Sequence, residues 1–266
     1  MENRIERVFR EKKNNILSVY FTAGFPELNS TNVVIDELRK AGADMIEIGI
    51  PFSDPLADGP VIQHSSEVAL KNGMSLKLLF EQLKKQSTFI PPAGQAGNQQ
   101  PAILLMGYLN PILQFGVENF CKEAKECGID GVIIPDLPLQ EYLHEYKPIF
   151  DKYGILNIFL ITPQTSDERI RLIDSHSKGF IYMVSSSSTT GIKAGINTTQ
   201  EGYFRRIKKL KLKTPLMIGF GISDRNSFAK ACEFANGAII GSGFIKALEK
   251  GTDLKTGISN FIKSIK

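Results

Sequence analysis

Eight short apolar runs alternate with amphipathic helical patterns along this chain of 266 residues, and that rhythm restricts the architectures open to it. The strand-like runs cover 16–22, 45–50, 102–109, 131–135, 155–161, 179–184, 215–219 and 237–241. Helical periodicity fills the intervals, over 30–41, 61–71 with 75–86, 116–127, 139–153, 166–175, 199–210, 224–235, and 243–250 with 256–265. Nearly continuous apolar strands separated by helices are the pattern of parallel strands covered on both faces. Gly42, Gly128, Gly154 and Gly237 stand where a left-handed cap would end a helix and return the chain to the next strand. Eight such units without a break in composition predict an α/β fold, a single (β/α)8 TIM barrel with residues 1–266 as one domain. The alternative is an open doubly wound sheet, which rarely needs so many regular units.

The remaining bulk properties mainly exclude. An apolar content of 42% and a charged content of 23% are ordinary for a soluble globular chain. No apolar stretch is long enough to span a membrane, and the start MENRIERVFREKKNN lacks the apolar core of an export signal, so a cytoplasmic location is expected. That start reads as an extra N-terminal helix, solvated on its charged side, with Ile5, Val8 and Phe9 on one face. Cys121, Cys127 and Cys232 are odd in number and lack CxxC spacing, which reads as idle thiols. His64, His144 and His176 lack HExxH spacing, and no cluster of His and carboxylates suggests a metal site. A net charge of +4 suits an anionic small molecule and is too weak and too evenly spread for nucleic acid.

Residues 43–60, ADMIEIGIPFSDPLADGP, carry the strongest chemical signal. Side chains alternate along a strand, so Ile46, Ile48 and Ile50 share one face and Glu47 takes the other with Met45 and Gly49. A buried ionised carboxylate is costly without a partner, which leaves two readings of Glu47: an ion-paired structural acid, or a catalytic acid facing a pocket. Asp58, in the turn-rich loop after Pro51, favours the second, because barrel chemistry gathers at the C-terminal ends of strands. Desolvation would raise the pKa of Glu47, while a more solvated Asp58 stays ionised.

Two glycine-rich strand ends suggest an anion site. Gly219-Phe220-Gly221 closes the seventh run, and Gly241-Ser242-Gly243 opens a helix after the eighth. Glycines admit close approach to backbone N–H groups, and a helix N-terminus favours negative charge. The loops after strands seven and eight are where barrels often bind phosphate. Ser185 to Gly191 is a hydroxyl-rich stretch that reads as a solvated loop or as a lid over substrate. No strand end carries a Lys placed for a Schiff base, so a carbon–carbon lyase here would rely on acid–base chemistry. Residues 88–101, rich in Pro, Gly, Gln and Asn, read as a long loop before the third strand with no catalytic role.

The stretch EIGIPFSDPLADGPVIQ resembles, nearly residue for residue, the hallmark segment of the tryptophan synthase α-subunit family. The resemblance continues through FTAGFP, LLMGYLNP, GVIIPDLP, Thr189-Thr190-Gly191, GFGIS and AIIGSG. It implies retro-aldol cleavage of indole-3-glycerol phosphate to indole and glyceraldehyde 3-phosphate, with the indole ring as the electron sink in place of a metal or Schiff base. By the match, Glu47 is the acid–base residue and Asp58 accepts the indole N–H hydrogen bond. Tyr20, Tyr182 and Phe220 fall at positions similar to those lining the family's indole pocket. Thr190, Gly191, Gly221, Gly241 and Ser242 fall in its substrate- and phosphate-binding segments. The family also implies no cofactor in this chain, and a pyridoxal-phosphate β subunit that receives the indole within an αββα heterotetramer. Two rivals remain, a phosphosugar isomerase barrel and a barrel that only activates a partner. The SDPLADGP loop argues against the first, and retention of Glu47 and Asp58 against the second.

Overall fold

The computed structural model describes residues 3–56, 58–85, 100–184, 198–219, 221–250 and 253–266. Among these, eight parallel strands close into a barrel in chain order, β1 beside β2 and so on to β8, which returns to β1. The strands are β1 (Ile16–Thr22), β2 (Met45–Gly49), β3 (Ala102–Met106), β4 (Gly131–Ile133), β5 (Leu156–Ile161), β6 (Ile181–Val184), β7 (Leu216–Gly219) and β8 (Gly237–Ile240). Helices follow the strands, so the expected (β/α)8 architecture is the one observed. No helix among the described residues is long and apolar enough to cross a membrane.

Alternation along the strands divides the apolar residues into two layers. Val19, Phe21, Ile46, Ile48, Ile103, Leu105, Ile181 and Ile240 point outward and pack under the helices. Ile16, Met45, Leu104, Ile133, Ile158, Met217 and Ile239 point inward and fill the barrel. The N-terminal helix, Arg4–Lys12, joins this inner layer and is not merely a solvated surface helix. Ile5 is fully buried, and the Phe9 ring lies 5.8 Å from that of Phe180. A Cβ on Gly131 would stand 2.8 Å from Ile5, so the helix closes the barrel at the N-terminal ends of the strands.

Several boundaries differ from the periodicity for local reasons. The run predicted over 102–109 stops at Met106, because Asp136 accepts a hydrogen bond from the Leu109 amide (2.9 Å) where the helix Leu109–Phe115 begins. Pro111 is tolerated there because the amides of a first helical turn have no intrahelical partner. The helix predicted over 139–153 is interrupted by a π-helical turn at Tyr142–Tyr146. Pro148 follows it, and its ring would clash with the His144 carbonyl in a regular helix. Gly42, Gly128 and Gly154 have the positive φ of a helix cap (82°, 70° and 68°). Gly237 does not act as a cap. It lies in β8, where a Cβ would stand 2.1 Å from the Ile16 carbonyl oxygen across the closing seam. The loop predicted over 88–101 falls, but for its last two residues, outside the described residues.

One ion pair anchors the N-terminal helix to the barrel. Arg4 Nε donates to both carboxylate oxygens of Asp130 at 2.9 Å, and Asp130 Oδ2 also accepts from the Ile103 amide at 2.8 Å. Both side chains are largely buried, at 16% and 9% exposure. Truncating one partner of such a pair leaves a charge without compensation. Asp130→Ala should therefore cost roughly 3 kcal/mol in urea denaturation. Lys71→Ala, which removes an exposed helix pair with Glu67 (2.6 Å), should leave the urea midpoint nearly unchanged.

Candidate active site

The barrel interior changes character toward the C-terminal ends of the strands. Ile16, Ser18, Tyr20 and Thr22 alternate inward along β1, and Met45, Glu47 and Gly49 do so along β2. Tyr20 pairs in register with Glu47, and Thr22 with Gly49. A Cβ on Gly49 would stand 2.2 Å from the Tyr20 hydroxyl oxygen, and one on Gly219 would stand 2.1 Å from that of Tyr182. The two glycines thus make room for two tyrosine hydroxyls, each reaching over the neighbouring strand.

Glu47 is fully buried between them. The Ser18 hydroxyl donates to its Oε1 at 2.7 Å, and Oε2 has no hydrogen-bond partner among the described residues. Burial pushes its carboxyl up to about 7, against a smaller downward pull from Ser18. The ion-paired structural reading would require a cation beside it, and none stands there among the described residues.

Asp58 approaches from the loop after β2. Its amide donates to the Pro55 carbonyl at 3.0 Å, and its own carbonyl accepts from Gln63 Nε2 at 2.9 Å, so the following helix, Pro60–Lys71, holds the turn. Tyr108, beyond β3, donates to Asp58 Oδ2 at 3.0 Å and stacks on Phe52 with centroids 5.0 Å apart. Tyr20, Met106 and Pro135 complete this cleft. Asp58 does not keep an ordinary carboxylate pKa, as solvation would have allowed. Burial pushes it up to about 6, with the Tyr108 hydrogen bond opposing. Both carboxylates act on the hydroxyls of Tyr20 and Tyr182, whose pKa values burial and those negative charges raise. The four groups therefore share one electrostatic environment.

The loop after β7 and the start of the helix after β8 meet. A Cβ on Gly243 would lie 3.2 Å from Ser223 Cα, so the helix Ser242–Lys250 begins against the β7 loop. Gly221 has φ +78° and open space where a Cβ would point. Gly241 lies near Tyr20, its carbonyl accepting from the amides of Phe244 and Ile245. Thr190, Gly191 and Phe220 fall outside the described residues, as does all of 185–197. No group of three or more His, Cys, Asp or Glu among the described residues could hold a metal ion. Ser18 and Tyr108 were not singled out from the sequence. Ser18 lies two residues before Tyr20 on the face of β1 that looks toward Glu47. Tyr108 ends an apolar run at the barrel face where the chemistry gathers.

The family profile described as "Tryptophan synthase alpha chain" matches residues 7–265. The tryptophan synthase alpha chain of Flavobacterium psychrophilum is 55% identical over 266 residues, covering 99% of each chain. That of Bacteroides thetaiotaomicron is 52% identical over 266 residues, covering 99% of this chain and all of the relative. Among solved structures, tryptophan synthase subunit alpha from Legionella pneumophila superposes with a TM-score of 0.84 at 33% identity, covering 100% of this chain and 97% of the other. The aminoacrylate-bound tryptophan synthase of M. tuberculosis superposes at 0.82 with 26% identity, covering 99% and 98%.

The raised pKa of Glu47 has a consequence for stability. A carboxyl that binds its proton more tightly in the folded chain contributes stability fully below about 4.5, and loses that contribution as the pH rises through about 7. Glu47→Gln removes this titration. Between about pH 4.5 and pH 8 the variant should gain roughly 2–3 kcal/mol relative to the parent chain, measured by urea denaturation at each pH.

Proposed function

The chain belongs to the tryptophan synthase alpha chain family, and on that premise we propose that Glu47 and Asp58 carry its lyase chemistry by acid–base catalysis without a metal or Schiff base. The family reaction cleaves indole-3-glycerol phosphate to indole and glyceraldehyde 3-phosphate, and the alpha chain acts with a β subunit that consumes the indole. The observation that carries the assignment is the Glu47 carboxyl: fully buried on the inner face of β2, pushed up to about 7, with one oxygen unpartnered among the described residues.

The reaction breaks a carbon–carbon bond between the indole ring and the glycerol phosphate chain. Protonation at indole C3 makes the ring nitrogen iminium-like, so the ring itself accepts the electrons that a metal or Schiff base would otherwise take. A proton must also leave a glycerol hydroxyl as the carbonyl of the aldehyde forms. A carboxyl with a pKa of about 7 exists in both forms at neutral pH and can give one proton and take the other. Asp58 in its ionised form accepts the indole N–H hydrogen bond and opposes the charge that grows on that nitrogen. By the family match, Tyr20 and Tyr182, with Phe220, flank the ring, Gly191, Gly221, Gly241 and Ser242 receive the phosphate, and Thr190 contributes to substrate binding. The first amides of Ser242–Lys250 supply donors and a favourable dipole.

The remaining expectations belong to the same proposal. Residues 1–266 act as one domain, no cofactor resides in this chain, pyridoxal phosphate resides on the β subunit, and the αββα assembly works in the cytoplasm. Handing indole directly to a docked β subunit prevents loss of a small apolar product.

Glu47→Gln decides the assignment. Indole release should fall on the order of 10²- to 10⁴-fold in a folded protein, as expected for loss of an acid–base group. Retention of more than about a tenth of the activity would return Glu47 to a structural role. The phosphate site is tested separately by Ser242→Asp, which places a carboxylate at the helix start. Calorimetry should then show selective loss of glyceraldehyde 3-phosphate binding with indole binding kept; equal loss of both would mean general damage.

A further inference from the structure

We propose that Ser18 is the positioning residue for Glu47: its hydroxyl ties down Oε1 and leaves Oε2 as the one oxygen that exchanges protons with substrate. This rests on the reading of Glu47 as the acid–base residue and specifies how that residue is held.

The argument begins with β1 and β2. Ser18 pairs in register with Met45, and Tyr20 with Glu47, so Ser18 lies diagonally below Glu47 on the inner face of the barrel. Its neighbours in that layer include Ile16, Met45, Leu104 and Ile239, all apolar and buried. A fully buried hydroxyl is costly in such a layer unless it is hydrogen-bonded. The bond the structure gives it is the 2.7 Å donation to Glu47 Oε1.

A serine hydroxyl has one proton to donate, so this bond distinguishes the two carboxylate oxygens. Oε1 is occupied as an acceptor from below. Oε2 is equally buried and has no partner among the described residues. When Glu47 is protonated, the proton belongs on Oε2, since Oε1 already faces a donor. Protons then arrive at and leave Oε2 while the Ser18 bond stays intact, and the side chain need not turn over between the two transfers. A fixed rotamer also keeps the reacting oxygen within reach of substrate, which is where orientation contributes most to rate.

Several strands contribute to the surroundings of Glu47 among the described residues. Ser18 and Tyr20 come from β1, Leu104 from β3 and Tyr182 from β6, while Asp58 acts on the same two tyrosines. Both tyrosines stay neutral, because burial raises their hydroxyls far above their ordinary range. Burial and the Ser18 hydrogen bond are thus the influences on the Glu47 carboxyl, and Ser18 alone pulls downward.

Two variants separate the hydrogen bond from packing. Ser18→Ala deletes the donor and leaves a small void, whereas Ser18→Cys nearly keeps the volume and supplies only a weak donor. The protonated Glu47 carboxyl has an infrared C=O band, identified by its absence in Glu47→Gln, whose pH midpoint can be followed without turnover. Both Ser18 variants should raise that midpoint by roughly one pH unit and lower kcat at neutral pH about three- to tenfold with KM little changed. A purely structural serine would leave the midpoint in place in Ser18→Cys. An unmoved midpoint in the folded Cys variant overturns the proposal even if Glu47→Gln is inactive. An active Glu47→Gln overturns instead the acid–base reading on which it rests.

Discussion

Closure of β8 onto β1 determines where every inward side chain of this barrel points. Strand side chains alternate, so a slip of one residue at the seam would turn Ser18 and Tyr20 toward the helices and bring Val19 and Phe21 inside. The seam tolerates little adjustment. Ile16 pairs with Gly237, and any larger residue there would press its Cβ against the Ile16 carbonyl. Once the register is set, the two ends of the barrel differ in kind. Ile5 and Phe9 close the N-terminal end with apolar packing, while glycines and tyrosines at the C-terminal end leave a cavity.

That cavity is held against a free-energy cost. Glu47 and Asp58 both lose more from desolvation than their single hydroxyl donors, Ser18 and Tyr108, return, and both carboxyls rise as a result. Placing a cation beside Glu47 would stabilise the fold and also hold the carboxyl ionised near neutral pH. The stability is made up elsewhere, in the two apolar layers and in buried pairs such as Arg4 with Asp130, far from the chemistry. The charged groups thus differ in their surroundings. Asp130 is paired with Arg4, whereas Glu47 has no ion pair among the described residues.

The asymmetry of the hydrogen bonds matters as much as their strength. Tyr108 approaches Asp58 from the β3 loop, and its ring is steadied by Phe52 from the β2 loop. Ser18 approaches Glu47 from within the barrel. One acid is therefore tied by loops that a docking partner can touch, and the other by the rigid strands. The division fits a chain whose β subunit acts on a site already built around Glu47.

Local pattern was enough to make the architecture legible. The period of the apolar runs identified all eight strands, and alternation within Met45–Gly49 placed Glu47 opposite Ile46 and Ile48 before any contact was known. The SDPLADGP loop and the glycines after the last two strands pointed to the same end of the barrel, while Thr190, Gly191 and Phe220 lie outside the described residues. Other features depended on partners distant in the chain. Asp58 finds its hydroxyl donor in Tyr108, 50 residues away. Gly237 is required by the backbone of Ile16, and the N-terminal helix is buried because Gly131 and Gly179 leave space for Ile5. Ser18 was indistinguishable from any small strand residue until closure set its hydroxyl against Glu47. Periodicity reports which face a residue takes, because that follows from backbone geometry alone. What the residue meets on that face depends on register and closure, which only the folded barrel decides.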